Sequence, residues 1–229
     1  MILLLLLFAE LFFLFFLSQR LTQSVFDLCI LLFRSRSVAI TIITIINFPG
    51  TVIHELSHLF TAEILGVRTG KLTLVPDFIQ KDQIKAGSVM IAATDPFRRY
   101  LIGLAPMVTG LVAISALSYS LFTIPYSLFT YGILYLLFAV SNAMFSSTED
   151  LKGFIPFIIT LGIMAAGAYV AGFRVGITGP ALSVSVQIFD ALTKSLGIVL
   201  ALNSAGLLIA KLLISLTEKL TRRKLVRRG

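Results

Sequence analysis

Long apolar runs separated by short polar breaks dominate the chain. Residues 2–17 are almost entirely Leu and Phe, and further runs cover residues 38–65, 99–122, 124–145, 154–171 and 196–216. Each is close to the roughly 20 apolar residues that cross a ~30 Å hydrocarbon core as a helix. The pattern predicts an all-α polytopic membrane protein with about six transmembrane helices. The first run resembles the core of a signal peptide. It lacks a basic n-region and an A-x-A cleavage site, so it is expected to be retained, borrowing length from residues 18–23. Residues 24–33 are too few to span and are followed by Arg34 and Arg36, which suits an interfacial or re-entrant segment.

The pattern changes between Gly66 and Phe97, where charged residues gather in the main aqueous excursion. Residues 70–75 alternate as a strand, and residues 87–92 are suited to pair with them. A small membrane-associated β-hairpin is therefore expected after the second helix. At about 32 residues, the excursion has no room for a separate recognition domain. Farther along, Asp190 and Lys194 are spaced to pair on an amphipathic helix. The chain reads as one transmembrane domain over residues 1–216, with its core in 38–172, followed by a basic tail over 217–229.

Composition agrees with a membrane setting: 57% of the residues are hydrophobic and 13% are charged. The net charge of +8 sits in short loops and in the tail. Positive-inside bias and anionic lipid explain it, and no nucleic-acid partner is required. Placing the tail and the 67–99 excursion together on the cytoplasmic side of a cell membrane gives the expected asymmetry. One cysteine, Cys29, allows neither an internal disulfide nor a cysteine-rich metal site.

Chemistry enters in the second apolar run. The chain has only two histidines, His54 and His58, and they frame Glu55 in the order His-Glu-Leu-Ser-His. At i and i+4 on a helix, the two imidazoles stack on one face, one turn apart. Zn2+ takes neutral imidazole nitrogens at about 2.0–2.1 Å, and two ligands from one turn leave positions for a third protein ligand and a water. Glu55 is then the general base toward that water. Pro49-Gly50, just before the motif, is expected either to kink the helix and open a route for water or to serve packing alone. Glu10 is a second intramembrane carboxylate, fitted either to function or to a hydrogen bond within the bundle.

No third histidine exists. Glu63 lies nine residues from His54 and points about 180° away on the same helix. Asp77 follows Pro76 in the polar excursion. Asp150 is the better third ligand, since it falls at the same membrane face as His58 and opens a helix; Glu149 is its competitor.

With these residues in hand, the chain resembles the site-2 protease family of intramembrane zinc metalloproteases (M50-type peptidases). That family carries H-E-x-x-H on a transmembrane helix and, after a small sheet and further helices, an N-x-x-P-x-x-P-x-D-G element. Asn142 and Asp150 repeat its Asn-to-Asp spacing, while Phe145 and Thr148 stand at the proline positions and Leu151 follows the aspartate. The resemblance covers roughly residues 38–172. It implies zinc on His54, His58 and Asp150, catalysis by Glu55 and substrate contact through Asn142. The implied substrate is a transmembrane protein or membrane peptide, unwound and added as a strand to a sheet edge at Lys71, Leu72, Thr73 and Leu74. Two other classes compete. One is an inactive zinc-binding relative that only holds membrane helices; the other is a transporter using its intramembrane charges, which the lack of an inverted repeat disfavours.

Overall fold

The computed structural model describes residues 2–74, 77–78, 84–85, 87–125, 127–145, 159, 162–164, 166–167, 170–172 and 179–221. Its main helices are α1 (Ile2–Phe33), α2 (Arg36–Ile64), α3 (Pro96–Thr123), α4 (Leu128–Ala143) and α5 (Pro180–Thr221). Between α2 and α3 lie four strands, β1 (Thr69–Thr73), β2 (Asp77–Phe78), β3 (Ile84–Lys85) and β4 (Ser88–Ile91). Helices α1, α2, α3 and α5 are long and apolar enough to cross a membrane, and α4 is a shorter apolar helix. Large apolar side chains such as Phe12, Phe13, Val112 and Leu208 stand on the outside. Lipid accepts such a surface, provided the backbone bonds within its own helices. The expected helical membrane protein with a small hairpin is what the chain builds; the fifth expected span, 154–171, falls mostly outside the described residues.

The segment 24–33 is not a separate interfacial piece. It is the last third of α1, a single helix of 32 residues, about 48 Å long at 1.5 Å per residue. No helix breaker interrupts it, and its polar side chains bond locally. Ser24 Oγ donates to the Arg20 carbonyl at 2.8 Å, and Gln23 Nε2 donates to Asp27 Oδ1 at 2.8 Å. The helix ends at Arg34, which takes a left-handed conformation (φ 56°). Ser35 then caps α2 by accepting the Val38 N–H.

Small residues and polar pairs set the helix contacts. Gly50 on α2 is buried against α4, where a Cβ would overlap the Ala139 carbonyl and come within 2.8 Å of the Ala143 Cβ. Gly110 on α3 meets Met144 in the same way. Of the two roles expected for Pro49-Gly50, close packing is therefore the one Gly50 fills. Pro49 has no N–H for the Ile45 carbonyl one turn earlier, and Tyr135 Oη of α4 donates to that carbonyl at 3.4 Å. The main core joins Leu7, Leu11 and Leu14 of α1 with Ile114, Leu137, Val140, Leu196 and Val199.

Helix α5 absorbs the expected amphipathic segment into one 42-residue helix, on which Lys194 Nζ meets Asp190 Oδ2 at 2.6 Å. Its direction differs from expectation. Six alternating spans would run the last helix parallel to α4, but α5 is antiparallel to it: Asn203 bonds Asn142, and Gly206 approaches Phe138. Helix α5 therefore ends, at Thr221, on the side of the bundle opposite His54 and His58; residues 222–229 of the tail lie outside the described residues.

The hairpin pairs as its alternation predicts. Strands β1 and β4 are antiparallel, with Leu72 opposite Val89, Thr73 opposite Ser88 and an irregularity between Thr69 and Leu72. The shorter β2–β3 pair is a second, separate antiparallel sheet. The first strand starts and ends earlier than expected, so Lys71, Leu72 and Thr73 lie in β1 while Leu74 follows it.

The glycine contacts predict opposite outcomes for two Gly→Ala changes. Gly50→Ala should lower stability by roughly 1–3 kcal/mol through overpacking. Gly132→Ala, in open space on α4, should be neutral or stabilising by up to about 1 kcal/mol. Thermal unfolding in detergent measures both; equal shifts for the two would contradict the packing.

Candidate metal centre

The site sits near the C-terminal end of α2, and the way that helix stops helps to place it. Gly66 takes the left-handed conformation (φ 69°), and its N–H bonds the Glu63 carbonyl at 2.9 Å while the Val67 N–H bonds the Ala62 carbonyl at 2.8 Å. These paired bonds of a glycine cap turn the chain back, so that Val67 packs on Ala62. Ile102 of α3 completes that small cluster. Helix α3 is fixed at its own start by Asp95, whose side chain accepts the Arg98 N–H at 3.0 Å. That bond, with the Arg98 guanidinium beside it, holds the Asp95 carboxyl below the usual carboxylate range.

Against this frame stand the three motif residues, all buried: His54, Glu55 and His58 are 2%, 5% and 7% exposed. His58 Nδ1 lies 2.9 Å from the Ile102 carbonyl oxygen. A carbonyl only accepts, so Nδ1 carries the proton and, in the neutral ring, Nε2 keeps its lone pair. That Nε2 is 3.3 Å from His54 Nε2, with the rings edge-to-face. Two ligands about 2.05 Å from one tetrahedral ion are separated by about 3.3–3.4 Å. The observed spacing is therefore the one that shared coordination requires, and the pair fits zinc. An N–H···N bond between the rings would be long at this distance.

The other residues fall into distinct places. Glu55 faces Gly87, at the start of the hairpin's return strand: a Cβ on Gly87 would lie 2.8 Å from Glu55 Cγ and 2.9 Å from Oε1. The hairpin thus rests directly on the expected base. Glu63 turns away from the site and accepts from Thr69 Oγ1 at 3.3 Å. Asp150 and Glu149 lie outside the described residues. Among the described residues, no group of three His, Cys, Asp or Glu converges as a metal site.

Asn142, expected to contact substrate, is buried where α4 meets α5. Both protons of its amide nitrogen are committed, to the Phe138 carbonyl at 2.8 Å and to Asn203 Oδ1 at 2.7 Å. Asn203 Nδ2 in turn donates to Ser141 Oγ at 3.0 Å and to the Val199 carbonyl. Among the described residues Asn142 Oδ1 is buried with no hydrogen-bond partner, so the atom left there is an acceptor. Sequence reasoning did not single out Gly87, Ile102 or Asn203. A glycine and a lone asparagine carry no spacing signal, and a backbone carbonyl leaves none.

Comparison with family models, curated proteins and solved structures finds no match for this chain. The ligand set makes its own prediction. His54→Ala, His58→Ala and Asp150→Ala should each empty the purified protein of zinc, while Glu63→Ala and Glu149→Ala should retain it. Elemental analysis reads the result; full zinc in either histidine variant would remove the motif from the site.

Proposed function

We propose that this chain is an intramembrane zinc metalloendopeptidase of the site-2 protease kind, cutting membrane-protein substrates in or near their transmembrane segments. The observation that carries the reading is the 3.3 Å approach of the two Nε2 atoms, one turn apart on an apolar helix, with a buried glutamate between them in sequence. His54 and His58 would hold the metal, with Asp150 as the third ligand. The position of α4 supports that choice. Ala143 packs on Gly50, one turn before His54. Asp150 follows Phe145 by five residues, a reach of up to about 17 Å.

Bound zinc would polarise the scissile carbonyl and make nearby water more acidic. Glu55 accepts the proton of the attacking water and returns it to the leaving amine, so one carboxylate serves both halves of the hydrolysis. Burial of all three motif side chains favours this chemistry by keeping bulk water from the carboxylate. A peptide bond within a helix is shielded by its own hydrogen bonds, so the substrate must become extended before it is cut. The hairpin offers edges for an added strand, at Lys71, Leu72 and Thr73 of β1 and the adjoining Leu74. Gly87 brings the same hairpin onto Glu55. Asn142 Oδ1, an acceptor at the end of α4 with no partner among the described residues, is suited to an N–H of the extended segment.

The isosteric change Glu55→Gln tests the mechanism. It should leave zinc bound and the melting temperature unchanged, while cleavage of single-span membrane peptides falls by roughly 10²–10⁴. Wild-type rates in Glu55→Gln, or cleavage that survives phenanthroline, would exclude a zinc peptidase. Stoichiometric zinc with no cleavage of a broad peptide panel would favour the inactive relative.

A further inference from the structure

Pro106 is an internal proline of α3, and it bears on the metal site through the backbone. In an α-helix the N–H of residue 106 would bond the carbonyl of residue 102. Proline has no N–H, so the Ile102 carbonyl loses its partner within the helix. That carbonyl is the one that accepts His58 Nδ1 at 2.9 Å. A buried carbonyl in an apolar bundle needs a donor, and His58 is the donor supplied. The same device recurs at Pro49, where the freed Ile45 carbonyl accepts Tyr135 Oη. There the donor is a phenol far from the motif in sequence; at Pro106 it is the imidazole of an expected ligand.

We propose that Pro106 is a positioning residue for the metal site: by releasing the Ile102 carbonyl, it fixes His58 as the Nδ1–H tautomer and aims its Nε2 lone pair toward His54. The proposal rests on the reading of His54 and His58 as zinc ligands, but its tautomer half holds for the metal-free protein. Ligating histidines depend on the acceptor at their other nitrogen, and loss of that partner typically costs 10–100-fold in metal affinity. Pro106→Ala restores the missing N–H, which then competes for the carbonyl. Because alanine favours a helix interior where proline does not, the variant should be as stable as the parent or more so while binding zinc more weakly. A purely structural proline would not separate the two effects in this direction.

The test uses the full chain in detergent with 15N-labelled histidine, which gives signals from only two side chains. In the metal-free parent, one histidine should show a hydrogen-bonded Nδ1–H and an unprotonated Nε2. His54→Ala should retain that signal, assigning it to His58. Pro106→Ala should weaken it and raise the zinc dissociation constant 10–100-fold by chelator competition. Pro49→Ala, which restores an N–H to the Ile45 carbonyl bonded by Tyr135 and not by a histidine, should change neither. An Nε2–H tautomer for His58 in the parent overturns the proposal whether or not Pro106→Ala folds. So does a folded Pro106→Ala with unchanged tautomer and affinity. A parent that binds no zinc but shows the tautomer effect would instead remove the zinc reading and leave the positioning role of Pro106 standing.

Discussion

The bond from His58 Nδ1 to the Ile102 carbonyl links the fold to the chemistry. It crosses from α2 to α3, it lies beside the cluster that Val67 and Ala62 make with Ile102, and it decides which imidazole nitrogen carries the proton. Without it the ring could adopt either tautomer, and the two Nε2 atoms would have no fixed reason to converge. A backbone acceptor inside the membrane is otherwise scarce, since helices consume their own carbonyls. The site thus depends on a local break in one helix being repaired by a side chain of its neighbour.

The rest of the bundle follows a similar economy. Apolar side chains cover the outside, where lipid gives them no incentive to associate, so close contact comes from small residues and buried polar groups. Gly50 and Gly110 bring α2 and α3 against α4. The Asn142–Asn203–Ser141 network ties α4 to α5, which runs antiparallel to it and packs along α1. These contacts hold the end of α4, from which the chain leads on to Asp150, beside the turn of α2 that precedes the histidines. The hairpin meets the motif itself, with Gly87 on Glu55.

What could be read from the sequence was what depends on local spacing. Apolar run length located α2, α3 and the helical character of the chain, strand alternation found the β1–β4 pairing, and the i, i+4 histidines marked one helix face. What could not be read depends on partners distant in sequence. Whether residues 24–33 continue α1 depends on side-chain bonds that replace water, and polarity alone misassigned them. The direction of α5 depends on contacts with α1 and α4 that are distant in sequence, so run length alone could not supply it. In the sequence Pro106 is only a proline inside an apolar run, because nothing there tells which side chain will take a carbonyl that a proline releases.

Zinc-edge X-ray absorption on the purified full-length protein tests the central claim most directly, because it reads ligand type and distance at the metal itself. The account predicts stoichiometric zinc with two imidazole nitrogens at about 2.0–2.1 Å and oxygen in the remaining positions. A protein that retains no zinc, or one whose zinc shows no imidazole scattering, would contradict it.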